Sequence, residues 1–210
     1  DAGGRGGRRL FYAIVRGLLR VYFRLFYGFR VTGLENVPTA GAIIVVANHA
    51  SALDPLALGA ACPRPLRFMA KAELFDNPVL AMVLRGLRAF PVKRGQVDRE
   101  AYRTSIEALR VGDALGIFPE GTRSKTGELQ AAHPGAARFS MQTGAPIVPA
   151  AVVGTFAGHR KGMNRFREAK VRVVFGAPIQ VPAKGSATRE DSDRLAHQIM
   201  ERIQDLIDAA

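Results

Sequence analysis

Cysteine is almost absent from this chain of 210 residues, since Cys62 is the only one. A single cysteine cannot form a disulfide within the chain, and this usage is typical of a reducing, cytoplasmic environment. The sequence also lacks Cys-x-x-Cys, His-Glu-x-x-His and Walker patterns, which argues against zinc sites and nucleotide-binding loops of those kinds. No Gly-x-Ser-x-Gly elbow occurs and no neighbour marks Cys62 as reactive, so the sequence offers no recognisable nucleophile of its own.

Acidic residues are also scarce, because 18 aspartates and glutamates face 30 lysines and arginines. The net charge is +12 and the isoelectric point is near 10.8, so the surface attracts anions such as nucleic acid, acidic carrier protein or anionic lipid. No RNP-like, KH-like or helix-turn-helix pattern accompanies the charge. We therefore expect no nucleic-acid partner and an anionic membrane surface instead.

Strand-like and helix-like patterns alternate along most of the chain. With 48% apolar residues, the chain is long enough for one domain with a sizeable core. The alternation predicts an α/β fold, a single domain with a mainly parallel sheet covered by helices. The predicted strands are residues 42–47, 66–70, 89–92, 114–118, 147–153 and 171–175. The predicted helices are residues 55–61, 78–87, 99–110 and 135–143, and one that begins after residues 186–191.

The N-terminal region differs in composition from the rest of the chain. Residues 1–9 are rich in glycine and arginine and are predicted to be a disordered basic tail. Residues 10–30 are predicted to form an amphipathic helix that precedes the α/β domain of residues 31–210. The arginines of this helix recur every four residues, and each charge at the bilayer centre costs roughly 2.5–3.5 kcal/mol, so a transmembrane span is disfavoured.

The same pattern favours a helix that lies in the membrane interface, with rings in the acyl region and guanidinium groups on lipid phosphates. The predicted membrane contacts are Arg16, Arg20, Arg24, Phe11, Phe23 and Phe26. We expect a peripheral or monotopic protein on the cytoplasmic face of a membrane. The alternative is a helix packed on the domain with an exposed arginine edge. Residues 78–87 are either a crossover helix of the sheet or an extension of the membrane surface.

A histidine and an aspartate follow the predicted strand at residues 42–47, in a first heptapeptide, Asn-His-Ala-Ser-Ala-Leu-Asp at residues 48–54. Histidine serves as base and then as acid near neutral pH. Asp54 lies five residues after His49, close enough to reach one ring nitrogen if the chain turns into a helix. That contact would fix the histidine tautomer, and the lack of a protein nucleophile favours activation of a substrate hydroxyl. The alternative is an aspartate that only caps the turn.

A second heptapeptide, Phe-Pro-Glu-Gly-Thr-Arg-Ser at residues 118–124, ends another predicted strand. Pro119 and Gly121 bracket Glu120 in a turn, after which Arg123 offers a planar guanidinium that matches a phosphate bidentately. Both heptapeptides follow strands, so they can converge where open α/β sheets place their ligands. The alternative is an exposed loop with a Glu-Arg surface pair.

The chain resembles the PlsC-like glycerol-3-phosphate and lysophosphatidate acyltransferases, whose signatures are Asn-His-x4-Asp and Phe-Pro-Glu-Gly-Thr-Arg-Ser. Residues 86–94 and 145–150 match two further blocks of that family, in the family's order. Two departures occur. His133 stands near the position where many relatives carry a lysine, and Pro91 replaces a more usual aliphatic residue.

The resemblance implies direct transfer of an acyl group from acyl-CoA or acyl carrier protein to the hydroxyl of 1-acylglycerol 3-phosphate, which gives phosphatidate. It implies His49 as base, Asp54 as its orienting partner, and neither a covalent intermediate nor a metal or other cofactor. The implied phosphate-binding residues are Arg94, Glu120, Gly121, Thr122 and Arg123. Glu120 is an unusual neighbour for a phosphate, because two anions repel. Its expected role is to orient Arg123 or Arg94, or to accept a hydrogen bond from the substrate or the turn.

Other readings stay open at this point. The acceptor could be another lipid or glycerol 3-phosphate itself, and a protein of another class, a non-catalytic module for anionic lipid or nucleic acid, could use the basic surface alone. Additional cations that could contact the phosphates of coenzyme A are Lys71, Arg160, Lys161 and Arg165.

Overall fold

The centre of the molecule is a sheet whose middle strands are buried on both faces. The computed structural model describes residues 2–93, 95, 98–156, 170–181 and 188–210, with the backbone alone for residues 2–5, 8 and 9. Within this part of the chain the sheet has seven strands. They are β1 (Arg30–Thr32), β2 (Ile43–Ala47), β3 (Leu66–Lys71), β4 (Phe90–Val92), β5 (Ala114–Ile117), β6 (Ile147–Val153) and β7 (Arg172–Phe175).

The strand order is β1-β7-β6-β2-β5-β3-β4, and every neighbouring pair is parallel except β6 and β7. The predicted α/β class with a mainly parallel sheet is therefore confirmed. In the register of β2 and β5, Ile43 pairs with Ala114 and Val46 pairs with Ile117. Parallel strands in this register end at the same edge, which brings the segments after β2 and β5 side by side.

Six α-helices of the described chain cover both faces of the sheet, and two short 3-10 helices, Leu34–Asn36 and Ala72–Phe75, lie in its connections. The α-helices are α1 (Ala2–Tyr27), α2 (Asp54–Ala61), α3 (Pro78–Gly86), α4 (Arg99–Arg110), α5 (Gly135–Thr143) and α6 (Arg189–Asp208). Alternate residues of β2 point to opposite faces, as the pleat requires. Ile43 and Val45 pack with α1 and α2, whereas Ile44 and Val46 pack with α4, α5 and α6.

The predicted element boundaries agree with the structure to within about one residue for the six predicted strands and for α2 to α5. β1 was missed, because a strand of three residues at the edge of the sheet is too short for a periodic pattern. It follows Gly28, whose left-handed backbone (φ 53°) ends α1, so the predicted helix at residues 10–30 is two to three residues too long. The polar loop predicted around residues 162–169 lies outside the described residues.

The predicted disordered tail at residues 1–9 is helical in the structure, because α1 begins at Ala2. The glycines of the tail lower helix propensity, which was the basis of the prediction. Once the apolar part of α1 is anchored, however, each further residue adds one hydrogen bond without a new nucleation step. The tail therefore continues α1.

The orientation of α1 is also different from the prediction. Phe23 is buried in the core, while Arg16 donates a hydrogen bond to the Pro63 carbonyl (2.9 Å) and Arg20 donates to the Ala60 carbonyl (2.6 Å). Carbonyls at a helix C-terminus lack intrahelical partners, so the end of α2 attracts these guanidinium groups. Arg16, Arg20 and Phe23 thus contact the domain, and Phe23 is too deeply buried to reach a membrane.

The exposed side of α1 is apolar instead of basic. It consists of Leu10, Phe11, Ile14, Leu18, Val21, Tyr22, Leu25 and Phe26, together with Arg24. Of the predicted membrane contacts, Phe11, Arg24 and Phe26 are exposed, Arg16 and Arg20 are half-buried, and Phe23 is buried. Among the described helices, none is both long enough and apolar enough to cross a bilayer.

Candidate active site

The two heptapeptides meet at the carboxyl edge of the sheet, through the backbone of His49. The His49 N–H donates to Oε1 of Glu120 (2.6 Å), and the Ser124 N–H donates to the His49 carbonyl oxygen (2.8 Å). The predicted convergence of the segments after β2 and β5 is confirmed. Because both polar groups of the His49 backbone are engaged, the second heptapeptide fixes where the imidazole of the first one lies.

His49 and Asp54 form a buried pair. The His49 Nδ1 and the Asp54 Oδ2 are 3.0 Å apart, and the exposed fractions of the two residues are 7% and 0%. The same Oδ2 accepts the N–H groups of Ala50 and Ser51, both at 2.7 Å, because Asp54 begins α2 and turns back over the loop. A carboxylate only accepts, so Nδ1 carries the proton and Nε2 keeps its lone pair.

The imidazole of His49 also stacks on the ring of Phe118, with ring centroids 4.2 Å apart and an interplanar angle of 23°. Phe118 in turn stacks on Phe68. The backbone, Asp54 and Phe118 therefore hold the ring from three directions. Such a histidine is presented in one orientation, which is what a positioned base requires.

Within the described residues, no hydroxyl or thiol is hydrogen-bonded to the imidazole of His49. The hydroxyl of Ser51 accepts the Leu53 N–H (3.2 Å) and belongs to the turn before α2. Cys62 is buried at the far end of α2, and burial raises the pKa of its thiol, so it is a poor thiolate. The arrangement suits activation of a hydroxyl that arrives with a substrate.

Glu120 is buried and both of its carboxylate oxygens are engaged by the protein. Oε1 accepts from His49, while Oε2 accepts the backbone N–H and the side-chain amide of Gln130, both at 3.1 Å. The carboxylate thus joins the first heptapeptide to the loop that follows the second. These donors lie outside the turn of residues 118–121, and Glu120 makes no ion pair with Arg123, so the predicted orientation of Arg123 by Glu120 is not seen.

Arg123 is exposed and forms no hydrogen bond or ion pair with any described residue. It nevertheless lines the same cavity as His49. Gly121 adopts φ 70°, and a Cβ there would lie 2.9 Å from the ring of His133, so the turn that presents Thr122 and Arg123 requires glycine. The guanidinium is accordingly available for an anion beside the imidazole.

Arg94, the other predicted phosphate-binding arginine, lies outside the described residues, as do Arg160, Lys161 and Arg165. Its neighbour Lys93 is tied to the start of α4, because the Lys93 N–H donates to the Asp98 carboxylate (2.8 Å). Hydrogen bonds from the backbone N–H groups of Ala101 and Lys93 lower the pKa of this carboxyl. Lys71 lines the cavity and pairs with Glu73 at 3.0 Å.

An apolar cavity of about 460 Å³ opens beside His49. Its walls come from α1, α2, β3 and α3, and include Leu19, Leu56, Phe68 and Leu84. Its volume is in the range of about 300–1,000 Å³ that is typical of ligand sites. The cavity contains the polar side chains of His49, Arg123 and Lys71. Most of its other lining residues are apolar and suit a hydrocarbon chain.

Two polar residues of the cavity wall, Tyr12 and Arg16, belong to α1. The Tyr12 hydroxyl accepts the Leu66 N–H (3.2 Å), and burial raises the pKa of this phenol, so it stays neutral. The sequence patterns indicated neither this wall nor Thr155, whose hydroxyl lies 2.5 Å from Asp54. Thr155 is 101 residues from Asp54 in sequence. The one sequence feature that could have indicated a site residue here is its position two residues after the predicted strand at 147–153.

Comparison with known proteins agrees with this geometry. A profile described as Acyltransferase matches residues 28–153. The chain is 30% identical over 197 residues to the 1-acyl-sn-glycerol-3-phosphate acyltransferase of Bacillus subtilis, covering 93% of this chain and 96% of that protein. It is 32% identical over 163 residues to a chloroplastic 1-acyl-sn-glycerol-3-phosphate acyltransferase of Arabidopsis thaliana, which spans 73% of this chain and 44% of that protein.

Among solved structures, the 1-acyl-sn-glycerophosphate acyltransferase PlsC of Thermotoga maritima has the same fold, with a TM-score of 0.77 and 28% identity. The match covers 96% of this chain and 82% of that one. The matched profile, the relatives and the shared fold define an acyl-transferring enzyme. The chain belongs to the acyltransferase family.

The engaged carboxylate of Glu120 leads to a prediction. We expect Glu120→Ala to leave the buried N–H of His49 unpaired, which costs about 1–3 kcal/mol of folding stability. Because the imidazole is then less well placed, we expect kcat to fall about 10- to 100-fold with little change in the acceptor KM. Steady-state kinetics and thermal unfolding measure both effects. Glu128→Ala, at an exposed position of the same loop, is the matched control. If Glu120→Ala raised only the acceptor KM and left kcat unchanged, Glu120 would instead be a substrate contact.

Proposed function

We propose that the protein is a 1-acylglycerol-3-phosphate acyltransferase in which His49 and Asp54 are the general base and its orienting partner. The observation that carries the proposal is the buried pair, with 3.0 Å between Nδ1 of His49 and Oδ2 of Asp54. It lies on the same apolar cavity as the exposed guanidinium of Arg123. The site combines a base, an anion site and room for acyl chain. The names of the relatives support the choice of acceptor.

In the proposed reaction, Nε2 of His49 takes the proton from the free hydroxyl of the acceptor. The hydroxyl oxygen attacks the carbonyl carbon of the thioester and forms a tetrahedral intermediate. The carbon–sulfur bond then breaks, which leaves the new ester. The imidazolium returns the proton to the thiolate that leaves. Asp54 stabilises the imidazolium between these steps, and no acyl group is attached to the protein.

The phosphate of the acceptor is proposed to bind Arg123, with Thr122, the Gly121 turn and Arg94 beside it. Arg123 is free of described partners, so no internal ion pair has to break when an anion arrives. A phosphate held there places the hydroxyl of the same glycerol near His49, which is catalysis by positioning. Glu120 contributes by fixing the two heptapeptides relative to each other.

The acyl chain is proposed to lie in the cavity between α1, α2, β3 and α3. The donor is acyl-CoA or acyl carrier protein, whose thioester carbonyl then reaches the mouth of the cavity next to His49. Lys71 lines this cavity and is a candidate contact for the donor.

Acceptor-dependent thiol release tests the proposal. We expect release from palmitoyl-CoA or palmitoyl carrier protein only when 1-acylglycerol 3-phosphate is present, with phosphatidate as the product by mass spectrometry. His49→Ala removes the base, so we expect kcat to fall by about 10²- to 10⁴-fold or more while the fold is retained. Release that survives this substitution would contradict the mechanism.

Variants of the second heptapeptide separate acceptor classes in the same assay. Arg123→Ala removes a charged hydrogen-bonding group, so we expect the acceptor KM to rise about 10- to 100-fold. Lys125→Ala changes an exposed cation two residues away and is the matched control. If Arg123→Ala is silent with the phosphate acceptor, or if a phosphate-free lipid is used equally well, the phosphate assignment is wrong.

The exposed apolar side of α1 is proposed to rest in an anionic membrane, at its cytoplasmic face. Val79, Leu80 and Met82 of α3 are also exposed, and α3 lies against α1, since a Cβ at Gly86 would meet the ring of Phe11. Exposed apolar patches of this kind mark interaction sites. Both substrates are amphiphiles, and the cavity lies directly under these two helices, so a bilayer is the occupant that the chemistry favours.

Vesicle binding tests this surface. Leu18 and Val21 are 66% and 55% exposed, and each buried side chain of this kind contributes roughly 1.5–3 kcal/mol. We therefore expect the double variant Leu18→Asp/Val21→Asp to bind phosphatidylglycerol vesicles about 100-fold more weakly or worse. Val111→Asp, at a 75% exposed position after α4, is the control and should bind normally. Equal binding of all three proteins would reject the surface.

A further inference from the structure

The carboxylate of Asp54 uses its two oxygens differently. Oδ2 accepts three N–H groups, those of the His49 ring, Ala50 and Ser51. Among the described residues, Oδ1 has a single donor, the Thr155 hydroxyl, at 2.5 Å. Both side chains are buried, with exposed fractions of 0% for Asp54 and 1% for Thr155. Oδ1, the oxygen that does not contact His49, is thus bound by a residue outside both heptapeptides.

Thr155 reaches this position because of the end of β6. Gly154 adopts φ 90°, and a Cβ there would lie 2.1 Å from the Lys170 carbonyl oxygen, so the chain turns at a position that only glycine fits. Two residues earlier, Val152 exchanges two hydrogen bonds with the Asn48 side chain, at 2.8 and 3.0 Å. The end of β6 is thereby fixed to the residue before His49.

We infer that Thr155 is a positioning residue for the base, which acts through Asp54. A hydroxyl bond to a carboxylate is a charge-assisted hydrogen bond and is typically short, as this one is. It stops rotation of the carboxylate about Cβ–Cγ, so that Oδ2 faces the imidazole and Oδ1 is not left unpaired in the interior. His49 is then fixed twice, at its backbone by Glu120 and at its ring by the Asp54–Thr155 pair.

A hydroxyl of Thr155 that served only to stabilise the fold would have different effects when removed. If Thr155 only stabilised the end of β6, its loss would lower the melting temperature and leave the chemistry of the folded enzyme unchanged. A residue that acts through Asp54 changes kcat, leaves both KM values alone, and loses its effect once Asp54 is gone.

Substitutions at Thr155, alone and in an Asp54→Ala background, test this inference. Thr155→Val keeps the shape and removes the hydroxyl, so we expect kcat to fall about 10- to 100-fold with unchanged KM for donor and acceptor. Thr155→Ser keeps the hydroxyl and should retain near-normal kcat. In an Asp54→Ala background, Thr155→Val should lower kcat no further. Thr143→Val removes a hydroxyl that bonds the Phe139 carbonyl in α5 and is the control for the substitution itself.

This inference rests on the proposed function, so one readout does not require turnover. In ¹⁵N-histidine-labelled protein without substrate, the Nδ1–H proton of His49, identified by its absence in His49→Ala, should resonate far downfield. It should shift upfield or be lost in Thr155→Val and persist in Thr155→Ser. An unchanged resonance, or equal loss of kcat in the valine and serine variants, would overturn the role of Thr155 even if acyl transfer is established.

Discussion

The site depends on two hydrogen bonds at the backbone of His49. Its N–H and its carbonyl are bound by Glu120 and by the Ser124 N–H, and both of these belong to the other heptapeptide. These contacts need β2 and β5 to be adjacent, parallel and in register, so that their ends stop at the same edge. The buried run of β-branched residues in β2 makes this arrangement stable, because both faces of the strand are covered by helices.

The ring of His49 is fixed by a second set of contacts that comes from three segments. Asp54 at the start of α2 holds Nδ1, Phe118 stacks on the ring, and Thr155 holds the carboxylate from beyond β6. The base therefore lies at the meeting point of the three central strands β5, β2 and β6. Arg123 has no hydrogen bond or ion pair with the part of the chain that the structure describes, and it is where a substrate anion is proposed to bind.

The bounds of six strands, the mainly parallel sheet, the pairing of His49 with Asp54 and the convergence of the heptapeptides could be predicted from sequence, since each rests on local pattern and parallel-strand geometry. The face that α1 turns to the domain could not. Apolar residues and arginines alternate around α1, so the sequence does not show which face contacts the domain. The carbonyls at the end of α2 bind Arg16 and Arg20, and only tertiary structure brings these groups together. Thr155 was missed for the same reason, because its partner is 101 residues away.

The most direct test of the account is a structure of the enzyme with 1-acylglycerol 3-phosphate bound. The account predicts the free hydroxyl within about 2.6–3.2 Å of Nε2 of His49, with Nδ1 still on Asp54. It also predicts the phosphate on the Arg123 guanidinium. A phosphate bound elsewhere, or a hydroxyl that lies beyond reach of Nε2 while Arg123 remains in solvent, would contradict the assignment of base and anion site together.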